Sequence, residues 1–174
     1  MTDTRGTRHA QVDTPLGDLT LVAEGDDLSG VYFPGHWHLP KDPAFGDEVD
    51  AHTDPVLSRV AEEIREYLSG ARTDFDIPVR THGDDFSEKV WSAIAKIPYG
   101  KTTTYGRIAR DMGDPHLAQR VGQAVGRNPV SIVIPCHRVV GSDGSLTGYA
   151  GGLERKRTLL DLEQATRPDG TRLF

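Results

Sequence analysis

The only cysteine of the chain, Cys136, stands between Pro135 and the pair His137-Arg138. A thiolate is the nucleophilic form of cysteine, and nearby positive charges favour the thiolate over the thiol. The alternative is that Cys136 is a small apolar core residue, as most buried free cysteines are. Neighbouring side chains on an extended segment point apart, so adjacency does not establish a direct Cys–His pair. The pattern predicts a nucleophile at Cys136, with His137 acting through a water or through a carboxylate bonded to its ring.

Other chemistries have weaker support in the sequence. Gly100-Lys101-Thr102 ends like a phosphate-binding loop, but the first glycine of that motif would fall at Ala95, so we interpret the match as chance. One cysteine cannot form an internal disulfide or supply a four-thiolate zinc site. Three histidines show no recognised metal-ligand spacing, and we expect them to be surface residues: His36, His38 and His52. These residues therefore predict no metal site and no phosphate-binding loop.

The segments on either side of Cys136 must position it. An apolar run at residues 130–134 (Val-Ser-Ile-Val-Ile) predicts a buried strand that delivers the cysteine at its end. A glycine-rich loop follows at residues 141–152, and a closing helix begins at Leu153. That helix carries three leucines and three basic residues: Leu159, Leu160, Leu162, Arg155, Lys156 and Arg157.

Two short helices upstream of this run predict a helix-turn-helix. Thr104 can cap the first helix, which runs through Met112 and ends at Gly113. Asp114-Pro115 suits the start of the second, because Asp accepts free amide hydrogens and Pro fits the first helical turn. The free side of the second helix carries polar and basic residues: His116, Gln119, Arg120, Gln123 and Arg127. Such a face is typical of a helix that enters a DNA groove.

The amino-terminal half predicts a small α/β unit. Strand-like runs at residues 19–23 and 31–33 flank a turn, and apolar residues at helical spacing predict a helix over 56–68 that Gly70 ends. We expect the polar first ten residues to be loose and residues 78–85 to form the linker. The predicted fold is α+β, with a scaffold domain containing an antiparallel sheet over residues 1–80 and a mostly helical domain over residues 86–174.

Composition excludes several classes of protein. The chain has 174 residues, of which 36% are hydrophobic and 26% charged, as in a globular protein. No apolar run is long enough to span a membrane and the first residues lack the apolar stretch of a secretory signal, so a cytoplasmic protein is expected. The net charge of −6 conceals a split: residues 1–85 sum to −11 and residues 86–174 to +5. The basic half indicates an anionic partner, unless the acidic half merely keeps the protein in solution.

These motifs together resemble a known family. Residues 132–140 (Ile-Val-Ile-Pro-Cys-His-Arg-Val-Val) are similar to the active-site signature of O6-alkylguanine-DNA alkyltransferases, the methylated-DNA–protein-cysteine methyltransferases. Further matching segments occur in the family's order: residues 97–109, Val121-Gly122, Asn128-Pro129, residues 148–152 and Arg155-Lys156. Residues 14–21 resemble the start of the family's amino-terminal domain. The resemblance implies a DNA repair protein that flips the damaged base and transfers its alkyl group irreversibly to Cys136, once per chain.

The resemblance also implies roles for individual residues. Cys136 is the nucleophile, His137 accepts its proton through a water, Glu163 orients that histidine and Asn128 is the hinge that joins the recognition helix to the active-site strand. Tyr105 helps to turn out the nucleotide and donates to the base, the Val139 carbonyl accepts from the guanine amino group, and Tyr149 walls the pocket. The residues implied in DNA binding are Tyr105, Gln119, Arg120 and Arg127. Without the family, Glu163 would be an ordinary solvated helix charge and Asn128 a plain turn residue.

One position departs from the family pattern. Relatives usually place an arginine three residues before Gly122, where it fills the gap left by the flipped base, and here that position is Gln119. Arg120 is its neighbour, but one residue rotates a helical side chain by about 100°. We therefore expect either residue to fill the gap, with altered efficiency of flipping.

Three other functions remain as alternatives. A binding-only sensor of alkylated DNA would replace the cysteine that this chain retains, and a DNA-binding regulator would carry additional domains. A cysteine hydrolase would turn over repeatedly and would take a partner histidine such as His82 or His116. The expected partner is double-stranded DNA containing O6-alkylguanine, bound by a monomer, with cooperative binding left open and no membrane involved.

Overall fold

The computed structural model describes residues 6–36, 39 and 42–174 and divides the chain into two compact units. One unit comprises the amino-terminal part up to Thr81 together with residues 129–131. The other comprises His82–Asn128 and Ile132–Phe174. Within the described residues, no helix is long and apolar enough to cross a membrane.

The amino-terminal unit is a four-stranded sheet covered by one helix. Strands β1 (Thr7–Thr14), β2 (Gly17–Glu24), β3 (Asp27–Tyr32) and β4 (Asp47–Glu48) lie in the order β3-β2-β1-β4. The first three pair antiparallel, as predicted, and β4 pairs parallel with β1. Helix α1 (Pro55–Leu68) begins at Asp54, whose carboxylate accepts from the amides of the first turn.

Strand β1 corrects the prediction that the first ten residues are loose. Residues 7–10 lie in β1, where Ala10 and Val12 face the core. Arg8 is also buried, because its guanidinium pairs with the Asp54 carboxylate. A buried charge is tolerated when it is paired, and this partner lies 46 residues away in the chain. The alternation of buried and exposed residues along β1 is therefore hard to recognise in the sequence, because arginine is usually a surface residue.

One of the three loop histidines is not a surface residue. His36 is buried, and its Nδ1 accepts the Phe33 amide at 3.3 Å, so the surface prediction is wrong there. His52 is exposed as predicted, and His38 lies outside the described residues. Within the described ranges, no group of three His, Cys, Asp or Glu side chains could hold a metal ion.

The carboxy-terminal unit contains the predicted helices. Helix α2 (Asp85–Ala95) is followed by β5 (Thr103–Thr104), α3 (Tyr105–Asp111), a 3-10 turn (Pro115–Leu117), α4 (Ala118–Gly126), β6 (Val139–Val140) and α5 (Leu153–Leu162). Thr104 caps α3, and Asp114 caps the turn that leads into α4. Gly113 adopts φ 103° at the end of α3, a conformation that favours glycine. The predicted helix-turn-helix is thus confirmed as α3 and α4.

The segment before Cys136 is not the predicted strand. Residues 131–134 form turns, and only Val130 makes a β-bridge, with Val31. Ile132 has φ 72°, a left-handed conformation that strains a β-branched residue. Val130 and Ile132 are nevertheless buried, and an apolar run alone cannot distinguish a strand from another buried segment. Cys136 therefore begins a 3-10 turn, Cys136–Arg138, instead of ending a strand.

Candidate active site

Cys136 is held in the interior of the carboxy-terminal unit. Its 3-10 turn runs directly into β6, which pairs parallel with β5 so that Val139 lies opposite Thr103. The pairing brings the turn close to Tyr105, the first residue of α3. Asn128 is also buried: its Nδ2 donates to the Ile134 carbonyl at 2.8 Å, and its side chain hydrogen-bonds to Cys136. The segment before the cysteine is thereby fixed by a side chain at its start.

The environment of Cys136 favours the thiol in the resting protein. Burial raises the pKa of Cys136, and this effect outweighs the hydrogen bond from Asn128 and the positive charge of Lys156, which both lower it. The prediction that the neighbouring His137-Arg138 pair favours a thiolate is therefore wrong for the resting state. The positive charge that lowers the pKa of the Cys136 thiol is that of Lys156, which lies in α5.

His137 is fully buried and is held by Glu163. Its Nε2 lies 2.8 Å from Oε2 of Glu163, the residue that ends α5. A carboxylate only accepts, so Nε2 carries the hydrogen and Nδ1 is left as the basic nitrogen of a neutral ring. Burial lowers the pKa of His137, and the charges of Arg138 and Lys156 lower it further, against the opposing effect of Glu163. The ring is thus neutral near pH 7 and able to accept a proton.

Glu163 is a buried carboxylate surrounded by donors. Arg138 donates to both carboxylate oxygens at 2.9 Å, from Nε and Nη2, and its Nη1 donates to the Ile97 carbonyl at 2.6 Å. The amide of Gly100 donates to Oε1 at 3.0 Å. Burial opposes ionisation, but the hydrogen bonds and charges of His137 and Arg138 outweigh it and hold the pKa of Glu163 well below its usual range. Glu163 is therefore a buried carboxylate and not an ordinary solvated helix charge.

Gly100 is required at its place beside Glu163. Its φ is 76°, and a Cβ there would lie 3.2 Å from the Glu163 carbonyl oxygen. A larger residue would push the loop away and remove the amide that donates to the carboxylate. The segment before β5, the 3-10 turn and the end of α5 therefore meet at one carboxylate.

Lys156 lies beside the candidate site, a place that the sequence did not predict for it. Its side chain is fully buried, and Nζ donates to the carbonyls of Val139 at 2.7 Å and Thr147 at 2.8 Å. Burial lowers its pKa to about 8, and a negative charge on Cys136, once the thiol has ionised, opposes that shift. The available signal was helical spacing, because Lys156 stands three and four residues before the buried Leu159 and Leu160 and so shares their face.

The predicted substrate residues lie around this group. Tyr105 is half-buried, and its hydroxyl accepts from Oγ1 of Thr147 at 3.1 Å. Tyr149 is 3% exposed. The Val139 carbonyl binds Lys156, and since a carbonyl has two lone pairs it retains one acceptor position.

The predicted DNA-binding residues of α4 are all exposed, but their surroundings differ. Arg120 stacks over the ring of Phe86, with Cζ 4.0 Å from the ring centre. Its charge, with that of Arg127, lowers the pKa of Asp84 after the larger effect of the Ser87 hydrogen bonds. Gln119 also lies on the exposed surface of α4. Arg120 is thus engaged with the start of α2.

Comparisons with known proteins match both units of the chain. Residues 7–81 match the domain described as "6-O-methylguanine DNA methyltransferase, ribonuclease-like domain", and residues 85–165 match "6-O-methylguanine DNA methyltransferase, DNA binding domain". A relative from Mycobacterium tuberculosis, named methylated-DNA–protein-cysteine methyltransferase, is 41% identical over 169 residues, covering 94% of this chain and 96% of that protein. One of the same name from Methanosarcina barkeri is 50% identical over 153 residues, covering 88% and 94%.

A solved structure gives the same result. The crystal structure of Mycobacterium tuberculosis OGT in complex with DNA matches with a TM-score of 0.81 and 38% identity, covering 90% of this chain and 92% of that chain. The resemblance inferred from the motifs around Cys136 is therefore confirmed by sequence and fold together. The chain belongs to the O6-methylguanine-DNA methyltransferase family.

Proposed function

We propose that this protein repairs double-stranded DNA by transferring the alkyl group of O6-alkylguanine, chiefly O6-methylguanine, to the sulfur of Cys136. The observation that carries this proposal is the buried Cys136 beside a neutral His137 that Glu163 orients, inside the residues that match the family's DNA binding domain. Because the product is a thioether, which is a poor leaving group, each chain acts once. No cofactor enters the reaction.

Proton transfer and bond exchange balance in one step. His137 Nδ1 takes the thiol proton through a water, and the thiolate of Cys136 attacks the alkyl carbon. The S–C bond forms while the bond from carbon to O6 breaks, and the departing guanine takes up one proton. Glu163 stabilises the transient imidazolium, Arg138 and Gly100 hold Glu163 in place, and Lys156 stabilises the thiolate. The raised pKa of Cys136 keeps the sulfur as a thiol until this step.

The remaining residues bind the extruded nucleotide. A base stacked inside a duplex cannot reach a buried sulfur, so the damaged nucleotide turns out of the helix at a cost of a few kcal/mol. The Tyr105 hydroxyl donates to the base, the free acceptor position of Val139 binds the guanine amino group, and Tyr149 forms the wall of the pocket. Asn128 keeps Cys136 in register with these groups through the Ile134 carbonyl.

Gln119 fills the gap that the flipped base leaves. Arg120, the other residue expected at this gap, stacks on Phe86 and would lose that contact on entering the duplex. Arg127 binds the phosphate backbone, and the protein acts as a monomer in the cytoplasm. Helix α4 lies in the groove, as in other helix-turn-helix proteins.

The proposal is tested by counting repaired bases per protein molecule. A duplex with a single O6-methylguanine is incubated in excess with the protein, and restored guanine is measured after digestion of the DNA. We expect one equivalent of guanine, and none from Cys136→Ser. More than one equivalent would indicate a catalyst that turns over. Binding of the duplex without restored guanine would indicate the binding-only sensor.

A further inference from the structure

The loop between β6 and α5 carries a hydroxyl that contacts a proposed substrate residue. Thr147 Oγ1 donates to the Tyr105 hydroxyl at 3.1 Å, across 42 residues of sequence. Among the described residues, this is the one hydrogen bond of that phenol. The family motif at residues 148–152 begins directly after Thr147, and none of the sequence predictions assigned Thr147 a role.

The backbone carbonyl of Thr147 is bound to the buried Lys156. Its carbonyl accepts from Lys156 Nζ at 2.8 Å, and the same ammonium donates to the Val139 carbonyl at 2.7 Å. Lys156 also lies 6.0 Å from the centre of the Tyr105 ring. Thr147 therefore links a buried cation to the Tyr105 phenol, with its carbonyl on one side and its hydroxyl on the other.

The ring of Tyr105 lies beside Gly122 of α4. A Cβ on Gly122 would lie 3.7 Å and 3.9 Å from two carbons of the Tyr105 ring, ordinary contact distances. Gly122 therefore leaves room beside the ring, and the bond from Thr147 restrains the hydroxyl of Tyr105.

The hydrogen-bonding capacity of the Tyr105 phenol determines the effect of its bond with Thr147. A tyrosine hydroxyl has one hydrogen to donate and can accept at its oxygen. Either hydroxyl can supply the hydrogen of their shared bond, and with Thr147 as its donor the hydrogen of Tyr105 is available to a further acceptor. A base nitrogen of guanine is such an acceptor.

We propose that Thr147 is a positioning residue that sets Tyr105 as the hydrogen-bond donor to the flipped guanine. This proposal rests on the proposed function, because it assumes that Tyr105 donates to the base. Thr147 touches neither the sulfur nor the alkyl group, so it acts on the reaction through Tyr105 alone.

The test compares two substitutions that differ in the hydroxyl. Thr147→Val keeps the shape of the side chain and removes its hydroxyl, whereas Thr147→Ser keeps the hydroxyl. We expect Thr147→Val to slow single-turnover alkyl transfer about three- to tenfold, as the loss of one hydrogen bond would, and Thr147→Ser to restore most of the rate. Ser142→Ala, at an exposed position of the same loop, controls for general effects on the loop.

A double-mutant cycle with Tyr105→Phe separates this role from a structural one. If Thr147 acts through the phenol, then Thr147→Val slows transfer in the natural background but changes nothing further once Tyr105→Phe is present. Equal rates for the Val and Ser variants, or additive losses in the double variant, would overturn the proposal. Absence of alkyl transfer by the natural protein would instead overturn the proposed function, so the two failures are distinguishable. Melting temperatures of all variants show whether any loss comes from unfolding.

Discussion

At the scale of single residues, the candidate site is organised by contacts between buried charged side chains. The family resemblance around the cysteine predicts roles for Cys136, His137 and Glu163, and the structure brings His137 and Glu163 into contact. The partner of Arg138 could not be predicted from the sequence, since its bidentate contact with Glu163 joins residues 25 positions apart. Lys156 was also missed as a site residue, because the basic pair beside the cysteine was the more obvious source of positive charge. Local sequence points to Cys136 as the proposed reacting group, and tertiary contacts determine its ionisation.

The pH dependence of alkyl transfer tests the protonation of His137. The pKa of His137 lies below its ordinary value of 6.5, so the neutral ring that accepts the proton persists as the pH falls to about 6.5 and is lost only at lower pH. We expect the single-turnover rate to change little from about pH 7 to 6.5, where Lys156 is still charged, and to fall below that. A midpoint above 6.5 would contradict a neutral, buried histidine.

Glu163→Gln tests the carboxylate that orients His137. Without its charge the imidazolium is no longer stabilised, so we expect transfer at neutral pH to slow by about a hundredfold. The remaining acid limb should move to still lower pH, because Glu163 raises the pKa of His137. Glu154→Gln, at an exposed position of the same helix, is the matched control. A normal rate in folded Glu163→Gln would exclude the orienting role.

At the scale of elements, caps were predictable and the backbone before the cysteine was not. Thr104, Gly113 and Asp114 start or end helices where the sequence predicts, because capping depends on local hydrogen bonds. The apolar run at residues 130–134 predicts a strand but forms turns, with Ile132 held at φ 72°. Such strain is retained only where surrounding contacts impose it.

Helix α4 yields a prediction about base flipping. We expect Gln119→Ala to slow transfer from duplex DNA about tenfold, because the gap in the stack is left empty and flipping costs more. Arg120→Ala should have a smaller effect, since Arg120 packs on Phe86. Transfer from a single-stranded oligonucleotide, which needs no flipping from a stack, should be unchanged in both variants. A larger loss in Arg120→Ala than in Gln119→Ala would reverse the assignment.

At the scale of the whole molecule, charge is divided between the two halves of the sequence. The acidic average of −6 argues against nucleic acid, whereas residues 86–174 carry +5 and match the family's DNA binding domain. The fold class and antiparallel sheet were predicted from strand-like runs. Strand β1 was not, because Arg8 occupies a core-facing position that only its distant partner Asp54 makes possible.

The basic half predicts that DNA binding depends on salt and little on sequence. We expect the affinity for an undamaged duplex to fall at least about tenfold between about 50 and 200 mM salt, because cations are released from the phosphates. Arg127→Ala should reduce the slope of log Kd against log salt by about one. Arg65→Ala, an exposed arginine in the amino-terminal unit, should leave it unchanged. A Kd independent of salt would contradict phosphate binding.

The most direct test of the central claim is the mass of the peptide that contains Cys136, measured after reaction with a duplex carrying one O6-methylguanine. Transfer of the alkyl group to the sulfur predicts a gain of one methyl group on that peptide, in proportion to the guanine restored. The gain should be absent with unmodified duplex and in Cys136→Ser. Restored guanine with an unchanged Cys136 peptide would contradict the account.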